Sequence, residues 1–156
     1  MAHGTVVLAG GLPVERLALD LLIADFGWSF EEADSLSCLA ELNSRRNVVA
    51  VLFSPRNLEL PWDEALSGVL KAAPGAMPIL CHGFADMIDW PQAAEAGAFH
   101  SLRLPFDLRE VRQSLGFVWA AKRHPGIVPI HRRLQRRRGV TKPTSEACAQ
   151  AAGIVA

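Results

Sequence analysis

Short apolar, β-branched runs alternate along the chain with segments whose apolar residues recur every three or four positions. Thr5-Val6-Val7-Leu8-Ala9 is the first run and ends in Gly10-Gly11. Val48-Val49-Ala50-Val51-Leu52 forms the centre of the strongest run, residues 47–53, residues 77–81 are another, and residues 98–103, although they carry His100, Ser101 and Arg103, read as a fifth strand. Unbroken apolar runs of this length predict strands buried on both faces, as in parallel sheets. Residues 28–33 are more polar and predict an edge strand. Between these runs the pattern is helical. Val14, Leu17, Ala18, Leu21 and Leu22 make one stripe after Pro13, with Gly27 as a stop. Asp34 or Ser35 is placed to cap a helix carrying Leu36, Leu39 and Ala40. Residues 54–61, with a proline near each end, predict a loop. Trp62, Leu66, Val69, Leu70 and Ala73 form the next stripe, closed by Pro74-Gly75. A weaker helix is expected within residues 86–96, with Pro91 near its start and Gly97 as its left-handed cap. Asp107 caps the last helix, with Leu108, Val111, Leu115, Val118 and Trp119 on one face.

Strand and helix thus alternate five times in about 120 residues. Alternation with connections long enough for crossovers predicts a parallel sheet covered on both faces. The size suits a doubly wound, flavodoxin-like (βα)5 fold of three α/β/α layers, with strand order 2-1-3-4-5. An eight-unit barrel would need a longer chain. Residues 1–123 are expected to form this domain. Residues 124–156 are expected to form a basic C-terminal tail, flexible or only partly ordered.

Charge divides the chain in the same place. Its 16 basic and 16 acidic residues cancel overall. Yet Arg132, Arg133, Arg136, Arg137, Arg138 and Lys142 face only Glu146 beyond residue 123, which leaves the preceding part acidic. A neutral total argues against a dedicated nucleic-acid binder, whereas the arginine cluster keeps a polyanion-binding tail in view. Cys38, Cys81 and Cys148 are too few and too widely spaced for a disulfide framework or a C-x-x-C metal motif. A reducing cytoplasm fits that usage. No secretory signal pattern and no membrane-length apolar stretch is seen.

Three segments, in order and at matching spacing, resemble the receiver domains of two-component response regulators, the CheY-like family. Residues 96–108, Ala-Gly-Ala-Phe-His-Ser-Leu-Arg-Leu-Pro-Phe-Asp-Leu, resemble that family's A-G-A…K-P-F-D-L segment. Residues 6–13 resemble its I-L-V-V-D-D-x-P opening, and Met77-Pro78-Ile79-Leu80 resembles its P-I-I-x-L strand. The resemblance covers about residues 5–123. It implies phosphoryl transfer from a histidine kinase to an aspartate, with Mg²⁺ held by carboxylates at the ends of the first and third strands.

The chain departs from the family at each of those positions. Gly10 and Gly11 replace the acidic pair of the first strand. Ser54 stands where the acceptor aspartate is expected, and no Asp or Glu lies between Asn47 and Leu58. The switch Ser/Thr maps near His82 or Gly83, and the phosphate-binding lysine maps to Leu104. The expectation is therefore a degenerate pseudo-receiver without catalytic, metal or cofactor sites. It would act as a signalling module through protein contacts. By resemblance, the last two βα units would carry the partner or homodimer face, with Trp90, Arg103, Arg109 and Arg112 lining or bordering it. Two alternatives stay open. One is a nucleic-acid-associated regulator using Arg132, Arg133, Arg136, Arg137 and Arg138. The other is a small-molecule or pH sensor at the crevice containing Gly10, Ser54 and His82.

Overall fold

A computed structural model of the chain describes residues 4–11, 16–83, 86 and 88–123. The arginine cluster and the rest of the expected tail lie outside these residues, as does the Pro13 helix start. The elements run in the order β1 (Gly4–Ala9), α1 (Arg16–Ala24), β2 (Ser29–Ala33), α2 (Leu36–Arg45), β3 (Asn47–Phe53), α3 (Pro55–Leu58), α4 (Trp62–Ala72), β4 (Met77–His82), α5 (Trp90–Ala96), β5 (His100–Arg103) and α6 (Leu108–Arg123). All strand pairs are parallel, and the sheet order is β2-β1-β3-β4-β5. This is the doubly wound, flavodoxin-like arrangement expected from the alternation.

Two core layers sandwich the sheet. Val6, Leu8, Ala50, Leu52, Ile79 and Cys81 meet α1 and α6 on one side. Val7, Ala9, Val51, Phe53 and Leu80 meet α2, α4 and α5 on the other. Period-two alternation produces both layers from unbroken apolar strands. It slips once. Val49 and Ala50 both face the α1 and α6 side, where the β1–β3 register shifts between Thr5 and Val6, as one extra residue in a strand requires. Burial pushes the Cys81 thiol far above its ordinary pKa, consistent with an inert core group. Among the described residues, no helix is long and apolar enough to cross a membrane.

Two local expectations are corrected. The segment read as a loop after β3 begins with a one-turn helix, α3. Ser54 caps it, Pro55 occupies its first turn, and Glu59 ends it at φ 59°. Ser-Pro is a start signal as much as a loop signal, because the hydroxyl accepts a free N–H and proline has none to leave unpaired. On α1 the buried residues are Leu19, Leu22 and Ile23, while Leu17 and Leu21 lie 72% and 63% exposed. The sequence Arg-Leu-Ala-Leu-Asp-Leu-Leu-Ile-Ala carries apolar residues on more than one face. Periodicity alone therefore did not decide which stripe the sheet would take. Trp119, expected on the inner face of α6, also sits on its flank, beneath the guanidinium of Arg123 at 4.7 Å.

Candidate functional site

In an open α/β sheet, ligands bind beyond the C-terminal ends of the strands. Here that edge brings together Gly10 and Gly11 after β1, Ser54 after β3, and His82 and Gly83 at the end of β4. Around Gly10 the chain itself packs closely. Gly10 turns at φ 103°, and its N–H donates to the Ala33 carbonyl at 2.9 Å. A Cβ built on Gly10 would lie 3.3 Å from Asn57 Cβ and from Leu58 Cγ, so α3 sits directly against this glycine. Asn57 Nδ2 also donates to the Gly11 carbonyl at 3.3 Å. Ser54 is 1% exposed, and its hydroxyl oxygen accepts the Asn57 N–H at 3.4 Å. Its side chain is a helix cap facing inward, which leaves it inaccessible as a modification site.

Arg56 projects from α3 towards the loop after β4. There it donates through Nε to Asp86 at 3.1 Å and forms an ion pair with the same carboxylate. The Gly83 N–H donates to the other Asp86 oxygen at 2.6 Å. The Gly83 N–H and then Arg56 hold the Asp86 carboxyl below its ordinary pKa. This clasp ties the ends of β3 and β4 together. It was not foreseen, because Arg56 and Asp86 are thirty residues apart and neither belongs to a motif.

The fold family implies Mg²⁺ at this edge, and the residues present do not fit it. Mg²⁺ requires hard oxygen donors, usually carboxylates. By the resemblance the positions are two glycines and a buried serine, and the Asp86 carboxylate is already engaged by a guanidinium and an N–H. Among the described residues, no group of three His, Cys, Asp or Glu is placed to hold a metal. Leu104, onto which the resemblance maps the lysine, packs against the core and donates its N–H to the His82 carbonyl at 2.8 Å. The following Leu104–Pro105 peptide is cis.

A groove of about 590 Å³ lies between α5 and α6 across β5, lined by His82, Trp90, Arg103, Asp107, Glu110 and Gln113, among others. Trp90 is half-buried and meets His82 edge-on, with ring centroids 5.1 Å apart. Of the four residues expected at this face, Trp90 and Arg103 line it. Arg109 and Arg112 do not. They border a separate groove against α1, where Arg112 pairs with Asp25 at 2.9 Å. The helical period explains the split, since residues 110 and 113 turn towards β5 while 108 and 112 turn towards α1.

His100 stands at the inner edge of the β5 groove, with Nδ1 3.0 Å from both Ser114 Oγ and the Ser101 carbonyl. Burial lowers its pKa, opposed by the Ser101 carbonyl and by Glu110. The folded state therefore disfavours the imidazolium. The neutral-histidine contribution to stability is complete above the ordinary value of 6.5 and is lost as pH falls below it. The melting temperature is expected to decline as pH falls from 7 to 5, and His100→Gln should flatten that decline. Asp86, with its lowered pKa, acts only in a more acidic window, below its ordinary 3.8. An unchanged slope in His100→Gln would remove His100 as the cause.

No protein-family model matches the chain, and no curated protein matches it. Solved structures do. The chain is similar to the receiver domain of the TMAO respiratory system response regulator TorR, at 20% identity and TM-score 0.61 over 72% of this chain and 93% of that one. It is similar to the signal receiver domain of an HD domain-containing protein from Pseudomonas fluorescens Pf-5, at 18% and 0.62 over 88% and 95%. A CheY-like response regulator receiver domain protein from Methanospirillum hungatei JF-1 aligns at 16% and 0.61 over 81% and 100%. Sheet order, crossovers and these likenesses agree that the chain has the fold of the CheY-like receiver domains.

Proposed function

We propose that the chain is a non-catalytic signalling module with the receiver fold, is not phosphorylated on aspartate, and acts by protein contact. The observation that carries this reading is the closed strand edge. By the resemblance, Gly10, Gly11, Ser54 and Leu104 take the positions of the family's carboxylates and lysine, and α3 packs against Gly10. By the resemblance, an acyl phosphate lacks its aspartate nucleophile and its lysine here.

The contact face in this reading is the groove between α5 and α6. Trp90 is an aromatic anchor inside it, Arg103 lies on its rim, and charges of both signs surround them, a composition suited to protein recognition. The partner is another signalling protein.

The test is incubation of the full chain with Mg²⁺ and acetyl phosphate, or with an active histidine kinase, followed by intact mass measurement. The mass is expected to stay unchanged. An added phosphoryl group that hydroxylamine removes would overturn the reading.

A further inference from the structure

Packing of α1 through Leu19, Leu22 and Ile23 leaves Leu17 and Leu21, one turn apart, as a ridge on its outer surface. On the β2 side of this ridge lies a groove of about 590 Å³, lined by Arg16, Leu17, Asp20, Phe30, Glu31 and Glu32. Three carboxylates thus share it with two apolar side chains and one guanidinium. Glu32 pairs with Arg16 at 2.8 Å, and Glu31 pairs with Arg46 at 3.3 Å. Both pairs lie at the surface, with the Arg16 and Arg46 side chains 71% and 48% exposed. Such pairs are weak and exchange their partners readily. Asp20 is exposed and makes no ion pair among the described residues.

The groove is therefore suited to a basic ligand that also carries an apolar side chain. The phosphates of a nucleic acid or of an anionic membrane would meet its carboxylates. The chain itself holds a segment of the required chemistry. His131-Arg132-Arg133-Leu134-Gln135-Arg136-Arg137-Arg138 sets one leucine among five arginines. The tether is also long enough. α6 ends at Arg123, and Arg132 lies nine residues further on. Nine residues reach up to about 30 Å. α1 packs beside α6 on one face of the sheet and against β2 on its other flank, and a helix is only about 10 Å across.

We propose that residues 131–138 dock in the α1–β2 groove of their own chain, with arginines on Asp20, Glu31 and Glu32 and with Leu134 against Leu17 and Phe30. Arginine suits both parts of the groove, because its stem covers apolar surface while its guanidinium reaches a carboxylate. Tethering makes the contact intramolecular, so modest interactions suffice to close it. The acidic excess of residues 1–123 then meets the basic excess beyond them, and the docked arginines are withheld from polyanions. The contact lies away from the α5–α6 groove and does not depend on the phosphorylation reading.

The experiment is limited trypsin digestion of the full chain, with mass spectrometry reading the rate of cleavage within residues 132–138. Leu17→Gln/Asp20→Asn should be cleaved there several-fold faster than the wild type in low salt. Its melting curve should be unchanged, because both positions are exposed. Glu32→Gln should act in the same direction. The wild-type rate should not vary with protein concentration, and the gap between wild type and variant should narrow in about 0.5 M NaCl, where surface charges are screened. Equal rates in the wild type and the double variant would overturn the proposal. So would a gap that salt leaves unchanged, or a protection that grows with protein concentration, which would place the segment on a second copy.

Discussion

Phe53→Ala is expected to remove about 3–5 kcal/mol of folding stability. Phe53 is the last residue of β3 and is fully buried, pairing with Ala9 on β1 and Leu80 on β4. It lies in the layer that α2 and α4 cover. Truncation deletes a ring from a site held on two sides by strands, so the cavity cannot collapse. Against the roughly 5–15 kcal/mol typical of a whole domain, the loss is a large fraction. Urea denaturation is the measurement, with the midpoint falling and the slope unchanged. Leu21→Ala is the matched control. The same class of truncation at a 63% exposed position should change stability by less than about 0.5 kcal/mol. Equal losses at the two positions would contradict the packing of α1 and with it the exposed ridge.

The second large effect is the failure of a repair. Gly10→Asp places a carboxylate where the resemblance would have one, and it is expected to cost at least about 2 kcal/mol rather than create a metal site. The backbone at φ 103° is open to glycine and strained for other residues, and a new Cβ would press on Asn57 and Leu58. The carboxylate would also enter a buried position. Gly11→Asp is expected to cost only about 1 kcal/mol. Its φ of 62° is one that Asp visits more readily, and its Cβ would meet no atom within 4 Å. Denaturation with and without Mg²⁺ measures both. Neither variant should be stabilised by the ion. Mg²⁺-dependent stabilisation of Gly10→Asp would mean that α3 moves aside and that the edge is an openable site.

The strand runs were legible because a strand buried on both faces demands apolar residues without interruption, and few other structures do. The order of elements then left one economical sheet. That Gly10, Gly11 and Ser54 carry no carboxylate is legible in the sequence alone, since packing cannot supply an absent side chain. The α3 turn was not legible, because Ser54-Pro55 serves loops and helix starts alike and only the neighbouring glycines leave room for it. The Arg56–Asp86 clasp was hidden by thirty residues of separation. Trp90, picked out by its place at the start of a short helix, proves to be wedged against His82, a contact made by the crossover between β4 and α5.

The amino-acid sequence by itself determined the alternation of strand and helix and the doubly wound fold, and it places Gly10, Gly11, Ser54 and Leu104 at or just after strand ends. These depend on composition and on a local period. Tertiary structure decided which side of α1 is buried, which groove each arginine borders, and that α3 closes the edge over Gly10. In each of these cases the local sequence pattern allowed more than one arrangement. The choice was made by the fit of one element against another, and the leucine ridge on α1 is the surface that this choice left uncovered.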